Sequence, residues 1–148
     1  MSQSPESLDR ERKQDEGAQP AARGRRVLII EDDVDTAEGL CAILELDEHT
    51  VEMAHSGPSG IAKARTFAPE VVLCDIGLPG MDGFAVAEAF RADETLRSTF
   101  LVALSGYTMP ADLAKARAAG FDEHLAKPPN LTKLSELVLN RGGSKKST

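Results

Sequence analysis

The chain has 148 residues, of which 41% are hydrophobic and 28% charged, a balance typical of one globular domain with a sizeable core. Its 24 acidic residues outnumber the 17 basic ones and it has no Trp and one Tyr, which argues against direct binding to nucleic acid. No apolar stretch approaches the ~20 residues that span a bilayer, and the N-terminus is polar, so we expect a cytoplasmic protein without membrane contact.

Apolar runs and amphipathic stretches alternate along the chain between two polar ends. Residues 1–24 are predicted to be a flexible tail, because they offer almost no large apolar side chains to offset the entropy of ordering. Residues 25–141 are predicted to form the folded domain, and 142–148 a second short tail. In chain order, strands are predicted at 25–31, 50–54, 70–75, 100–104 and 121–126, and helices at 34–47, 57–67, 83–92, 109–119 and 130–140.

Several helix boundaries carry local signals. Pro58 falls near the first turn of the second predicted helix, where its missing N–H costs nothing. Thr108 is suited to cap the fourth helix and Gly120 to end it. Asn130 can cap the fifth. Five β-then-α units in succession predict a doubly wound parallel sheet with helices on both faces, and ligand sites in such sheets lie beyond the carboxyl ends of the strands.

Carboxylates follow two of the predicted strands directly. The run Val27–Ile30 leads into Glu31-Asp32-Asp33, and the run Val71–Cys74 ends at Asp75. If these strands are neighbours, the charges converge, and two unit charges about 4 Å apart repel by roughly 4 kcal/mol at an effective dielectric near 20. A divalent cation removes that cost, and oxygen-only ligands suit Mg²⁺. The sequence therefore predicts an acidic, metal-binding site.

Four motifs stand at successive strand ends. They are Glu31-Asp32-Asp33, Asp75 with the turn Leu78-Pro79-Gly80-Met81-Asp82-Gly83, Ser105, and Lys127-Pro128. In this order and spacing they resemble the receiver domain of bacterial response regulators, over residues 25 to about 140. The resemblance implies a CheY-like, flavodoxin-like (βα)5 three-layer sandwich whose five-stranded parallel sheet has the order 2-1-3-4-5.

The resemblance also implies a chemistry. Asp75 would accept a phosphoryl group from a histidine kinase or a histidine phosphotransfer protein, in a signalling domain that assists its own phosphorylation and dephosphorylation but is not otherwise an enzyme. Mg²⁺ would be held by Asp32 directly, by Glu31 through water, by Asp75 and by the backbone carbonyl of Gly77. Lys127 would neutralise phosphoryl charge, as in-line phosphoryl transfer requires. A cis Lys127–Pro128 bond is expected from the same family.

Two residues are implied to form the switch. The Ser105 hydroxyl would bind the new phosphoryl oxygens, and His124 stands where the family usually has a Tyr or Phe that moves with the switch. As a histidine, it would pack in a way that depends on its protonation near neutral pH. The change would be read by a downstream protein at the face built from the fourth strand, fourth helix and fifth strand. Dimer formation on phosphorylation is left open.

Other polar residues receive simpler interpretations. Asp33 fits a helix N-terminal charge better than a third ligand, and Asp82 fits turn chemistry beside Gly83. His49 and His55 are expected to be solvated, since neither has a partner at metal-ligand spacing. Tyr107 is bulky enough to shield Asp75 from water, which predicts slow loss of the phosphoryl group.

Alternatives stay open for the function. Since one predicted helix follows Lys127, we expect a stand-alone receiver that regulates a partner or relays the phosphoryl group, with the receiver of a hybrid histidine kinase as the main alternative. A Mg²⁺-dependent phosphatase of the haloacid-dehalogenase type also uses a strand-end Asp, but needs a second Asp where this chain has Gly77. A phosphorylation-independent adaptor would not need the intact set Asp75, Ser105 and Lys127.

Overall fold

A computed structural model of the chain describes residues 24–106 and 109–147, with side chains described as far as residue 140. Nearly all of the predicted N-terminal tail, together with Tyr107 and Thr108, lies outside the described residues. Within them, strands and helices alternate. In chain order they are β1 (Arg26–Ile30), α1 (Val34–Leu46), β2 (Thr50–Ala54), α2 (Gly57–Phe67), β3 (Val71–Asp75), α3 (Gly83–Ala92), β4 (Phe100–Ser105), α4 (Pro110–Ala119), β5 (Glu123–Ala126) and α5 (Leu131–Ser147).

The strands form one parallel sheet in the order β2-β1-β3-β4-β5, which confirms the predicted topology. Parallel pairing brings the carboxyl ends of neighbouring strands to one edge. Ile30 of β1 is paired with Cys74 of β3, and Asp75 with Leu104 of β4. Ser105 is the last residue of β4 and pairs with Ala126 of β5. The residues that end β1, β3, β4 and β5 therefore share this edge.

The sheet is buried on both faces, which explains why its central strands are apolar without alternation. Successive β1 residues project into opposite layers: Leu28 belongs to one core cluster and Ile29 to the other. The first cluster lies under α2, α3 and α4, with Phe90 fully buried, and the second lies under α1 and α5. Among the described residues, no helix combines the length and apolar character needed to cross a membrane.

Local capping residues mark the observed start of α2, the start of α5 and the end of α4, as predicted. Ser56 accepts a hydrogen bond from Ser59 N (3.2 Å) at the start of α2, with Pro58 in its first turn. Asn130 Oδ1 accepts from Lys133 N (2.9 Å) at the start of α5, and Gly120 ends α4 with a φ of 122°. The N-cap of α4 is Met109, without a side-chain bond, in place of the predicted Thr108.

The last helix was predicted to end near residue 140, but α5 continues to Ser147. It thus takes up most of the segment for which the sequence predicted a short tail. Gly142 and Gly143 lie inside this helix. A glycine inside a helix costs about 1 kcal/mol relative to alanine, which weakens a helix without ending it.

Candidate phosphoacceptor site

Three carboxylates meet where β1 and β3 end. One side-chain oxygen from each of Glu31, Asp32 and Asp75 lies within 4.8 Å of the others. Glu31 is 1% exposed and Asp75 8% exposed, whereas Asp32 is open to solvent. The structure thus brings together the acidic residues that follow two strands lying side by side in the sheet.

Lys127 contributes the positive charge of this site from the end of β5. Its Nζ lies 2.8 Å from Glu31 Oε1 and 3.4 Å from Asp75 Oδ2. Its backbone N–H donates to the carbonyl oxygen of Ser105 (2.9 Å), which ties the residue to the end of β4. The following bond, Lys127–Pro128, is cis, as expected.

Burial and charge oppose each other at this site. Burial raises the pKa of Glu31, and it outweighs the hydrogen bonds from Lys127 and from the backbone N–H of Asp33, which act in the other direction. Burial alone would lower the pKa of Lys127, but its hydrogen bond to Glu31 and the negative charge of Asp75 leave that pKa raised. The site thus holds three carboxylates and one ammonium, which pairs with Glu31 and Asp75.

That imbalance and the all-oxygen donor set fit a divalent cation such as Mg²⁺. Of the three carboxylates, only Asp32 is exposed, while Glu31 and Asp75 are buried beside it. Glu31 is already engaged by Lys127 and by Asp33 N (3.1 Å).

The loop after β3 is held at two points, one on the Asp75 carboxylate and one on the backbone of Ile76. The backbone N–H of Gly77 donates to Asp75 Oδ1 at 3.0 Å. The N-terminus of α3 closes on the same loop, since Gly83 N donates to Ile76 O at 2.9 Å. A Cβ on Gly83 would lie 2.6 Å from the carbonyl oxygen of Asp75, closer than any real contact. Asp82 caps this helix by accepting from Ala85 N (3.0 Å), so its turn role is confirmed.

Ser105, the last residue of β4, lies next to the acidic cluster. It is 2% exposed and lines a cavity of about 250 Å³ together with Gly77, Leu78 and Phe84. Ser105 thus shares this cavity with the loop that follows β3.

His124 lies away from the carboxylates. It pairs in register with Ala103 and is half-buried between α4 and α5. Its ring forms part of the wall of two adjoining cavities, of about 390 and 490 Å³, to which Arg117 and Lys133 also contribute. Its Nε2 is buried and makes no hydrogen bond to any described residue. His124 therefore belongs to the α4–β5–α5 surface.

The two remaining histidines were both expected to be solvated. His55 is exposed, but its Nδ1 lies 2.9 Å from the carbonyl oxygen of Glu31. For His49 the expectation is wrong: it is 4% exposed, and its Nδ1 accepts a hydrogen bond from Arg25 N at 3.1 Å. His55 follows β2 directly, so the strand-end rule that found Asp75 would also have found it. His49 precedes β2, and only the folded neighbours bury it.

Asp33 is not one of the three clustered carboxylates. It is the N-cap residue of α1, and its carboxylate accepts a hydrogen bond from Thr36 Oγ1 at 2.6 Å. This agrees with the interpretation of Asp33 as a helix N-terminal charge.

The sequence of the chain is similar to those of known proteins. The sequence model of the family described as the response regulator receiver domain matches residues 27–139. Protein PilH of Pseudomonas aeruginosa is 31% identical over 103 residues, which are 70% of this chain and 85% of PilH. The DNA-binding response regulator MtrA of Mycobacterium tuberculosis is 30% identical over 104 residues, 70% of this chain. These are 44% of MtrA, so the chain spans under half the length of that relative.

A solved structure with the same fold comes from a sensor kinase. It is the receiver domain of the sensor histidine kinase PA1611 from Pseudomonas aeruginosa, with a magnesium ion coordinated in its active-site cleft. The TM-score is 0.73 at 26% identity, and the comparison covers 80% of this chain and 96% of that one.

Proposed function

The chain belongs to the response regulator receiver domain family, and on this premise we propose that Asp75 accepts a phosphoryl group from a phosphohistidine on a kinase or phosphotransfer protein. The observation that carries the proposal is the convergence of Glu31, Asp32, Asp75 and Lys127 at one edge of the sheet. A half-buried ammonium beside a strand-end carboxylate, with two further carboxylates next to it, is suited to phosphoryl transfer.

In the proposed step, a carboxylate oxygen of Asp75 attacks phosphorus. A P–O bond forms as the P–N bond breaks, and the electron pair leaves with the donor imidazole. Gly77 N–H holds Asp75 Oδ1, so the carboxylate has a fixed orientation before the donor arrives. Lys127 stands within 3.4 Å of Asp75 Oδ2, where it can offset charge on the transferred group.

Mg²⁺ is the cation we propose for this site. Asp32, Asp75 and the backbone carbonyl of Gly77 would hold it, with Glu31 acting through water. When bound, it supplies positive charge that offsets the carboxylates and the phosphoryl oxygens.

The consequence of phosphorylation would be a population shift. The phosphorylated side chain carries about −1.5 to −2 charge in place of the single charge of the carboxylate, and this increase favours the state in which Ser105 and Lys127 contact it. We place the readout on the surface of β4, α4 and β5, where His124 lies between two open cavities. A downstream protein would bind there, or the phosphoryl group would pass onward from Asp75.

Receiver domains of this family occur within larger proteins, as two of the relatives illustrate. MtrA carries further sequence beyond the matched region, and PA1611 is a sensor histidine kinase with its own receiver. A stand-alone receiver and a receiver from a hybrid kinase both use the site as proposed. The phosphatase alternative lacks its second carboxylate, because Gly77 stands at that position.

Intact-mass analysis after incubation with Mg²⁺ and an acyl phosphate tests the proposal. We expect one added phosphoryl group on the parent and none on Asp75→Ala. Asp82→Asn is the matched control, because it removes another carboxylate of the same loop and keeps a good N-cap. Phosphorylation of Asp75→Ala, or none on the parent, would contradict the proposal. Omitting Mg²⁺ tests the metal, and sustained phosphate release from a generic ester would favour the phosphatase.

A further inference from the structure

The backbone of Glu31 lies one residue past the end of β1, where the ladder with β2 stops. The last paired residues are Ile30 and Ala54. Glu31 N–H still donates to Ala54 O at 3.0 Å. In a continuing parallel ladder, the Glu31 carbonyl would accept the next bond from the backbone N–H of Ser56. At Ser56, however, the chain leaves the sheet, because this residue is the N-cap of α2.

The imidazole of His55 reaches this carbonyl. Its Nδ1 lies 2.9 Å from Glu31 O. A carbonyl oxygen can only accept, so Nδ1 carries the hydrogen and donates it. The side chain thus takes over a bond that the backbone of β2 would otherwise supply.

We propose that His55 is a positioning residue of the acidic pocket, which fixes the peptide group between Glu31 and Asp32 through this bond. The inference rests on the proposed function, since it concerns the residues proposed to hold Mg²⁺. The carbonyl of Glu31 and the N–H of Asp32 belong to one rigid plane. Holding the carbonyl therefore fixes the position of the Asp32 Cα, which lies in the same plane, and so restricts where the Asp32 carboxylate can lie.

In the described part of the chain, the other contacts of Glu31 and Asp32 do not hold this peptide group in place of His55. Asp32 is exposed, so core packing does not fix its position. Glu31 is held at its carboxylate by Lys127 and Asp33 N, and neither of these contacts is made to its carbonyl oxygen. Mg²⁺ demands near-ideal octahedral geometry, so a small rotation of Asp32 weakens its binding.

The test is a calorimetric titration of each variant with Mg²⁺ alone. In His55→Ala the dissociation constant should rise roughly two- to tenfold, as expected for the loss of one net hydrogen bond. In His55→Asn it should stay near the parent value, because the amide Nδ2 is attached at the same position as the imidazole Nδ1. His55→Gln places its amide one bond farther out and should behave like His55→Ala.

A matched control removes a comparable bond elsewhere on β2. Lys63 Nζ donates to Met53 O at 2.9 Å, a side-chain bond to a strand carbonyl outside the acidic cluster. Lys63→Met should leave the dissociation constant for Mg²⁺ unchanged. Nitrogen chemical shifts of the His55 ring in the parent should show a hydrogen on Nδ1.

Parent-like Mg²⁺ affinity in His55→Ala would overturn the inference, and so would equal weakening in His55→Asn and His55→Ala. A parent that binds no Mg²⁺ would remove both this inference and the metal from the proposed function. A parent that binds Mg²⁺ but is not phosphorylated at Asp75 contradicts the proposed function alone, and the titrations still decide the role of His55. Thermal unfolding of all variants without Mg²⁺ verifies that each is folded.

Discussion

His49 and His55 lie just before and just after β2, and their surroundings give them different properties. His49 is buried, with Nδ1 accepting from Arg25 N, and its Nε2 meets no hydrogen-bond partner in the described part of the chain. Burial lowers the pKa of His49, because the charged ring would lose its hydration. Protonation at Nδ1 would also remove the acceptor that Arg25 N requires. This residue ties the start of β1 to the start of β2 only while it is neutral.

This residue gives the protein a pH dependence of defined sign. The folded pKa of His49 lies below the ordinary value of about 6.5, so the unfolded chain takes up a proton first as the pH falls. The contribution of neutral His49 to the free energy of unfolding should be fully present above about pH 6.5. It should decrease as the pH falls from there toward the folded pKa. Asparagine keeps an acceptor at the δ position but does not titrate.

The urea midpoint of His49→Asn should therefore change less than that of the parent between about pH 7.5 and 5.5. Glu31, whose pKa is raised, acts with the opposite sign in both proteins and cancels in the comparison. Identical pH profiles for the two proteins would show that His49 is not the titrating group.

At the scale of elements, the close approach of α3 to the end of β3 determines the geometry of the loop that follows Asp75. Gly83 opens α3 and donates to Ile76 O, and its missing side chain is what permits the contact. A Cβ there would lie 2.6 Å from both Asp75 O and Ile76 Cα, which are backbone atoms with little room to move. Gly39, in the middle of α1, has open space instead, with no heavy atom within 4 Å of a Cβ.

Replacing each glycine by alanine should therefore have opposite effects. Gly39→Ala should raise the free energy of unfolding by about 0.5–1 kcal/mol, because alanine is the better helix former. Gly83→Ala should lower it by roughly 2–4 kcal/mol, because the backbone of Asp75 must shift. It should also slow phosphorylation of Asp75. Urea denaturation and the initial rate with an acyl phosphate measure the two effects. A Gly83→Ala protein with parental stability and rate would contradict the close approach.

At the scale of the whole molecule, the hydrogen bonds of Arg91 and the acidic site lie at opposite ends of the strands. Arg91, at the end of α3, donates to three backbone carbonyls, those of Arg97, Thr99 and Gly120, at 2.7–3.0 Å. It also pairs with Asp122 at 2.9 Å, just before β5. One guanidinium thus joins the segments that lead into β4 and β5. The carboxylates lie at the other ends of these strands.

Arg91→Met should separate stability from function. Loss of the guanidinium leaves three carbonyls and the Asp122 carboxylate short of a donor, so the free energy of unfolding should fall by roughly 2–4 kcal/mol. Arg91→Lys should recover only part of this loss, because an ammonium cannot form the planar fork. Under conditions where the variant is folded, the phosphorylation rate of Asp75 should equal that of the parent. A slowed rate would mean that the two ends of the strands are coupled.

Mg²⁺ should stabilise the folded chain as a whole. A ligand that binds only the native state adds about 2.7 kcal/mol at a concentration 100 times its dissociation constant. The increase should disappear in Asp32→Asn, which loses a proposed ligand charge, and persist in Asp33→Asn, whose carboxylate bonds the Thr36 hydroxyl and is not one of the three clustered carboxylates. Urea denaturation with Mg²⁺ and with a chelator measures it. An unchanged midpoint in the parent would argue against the metal site.

The sequence by itself determined the order and type of the elements and the edge at which the functional residues meet. Apolar runs, helix caps and glycines act over a few residues, so α2 and α3 begin and end where the sequence predicts. Strand-end position likewise identified Glu31, Asp32 and Asp75 as neighbours, because parallel pairing brings such residues together.

Only the tertiary structure decided which side chains meet across the elements. Lys127 pairs with Glu31 across 96 positions of the chain, and the buried ring of His49 accepts a hydrogen bond from Arg25 N, just before β1. His55 contacts a carbonyl that no local pattern marks as open. Such contacts depend on packing between segments distant in the sequence, and their energies follow from burial, which exists only once the sheet and its helices are assembled.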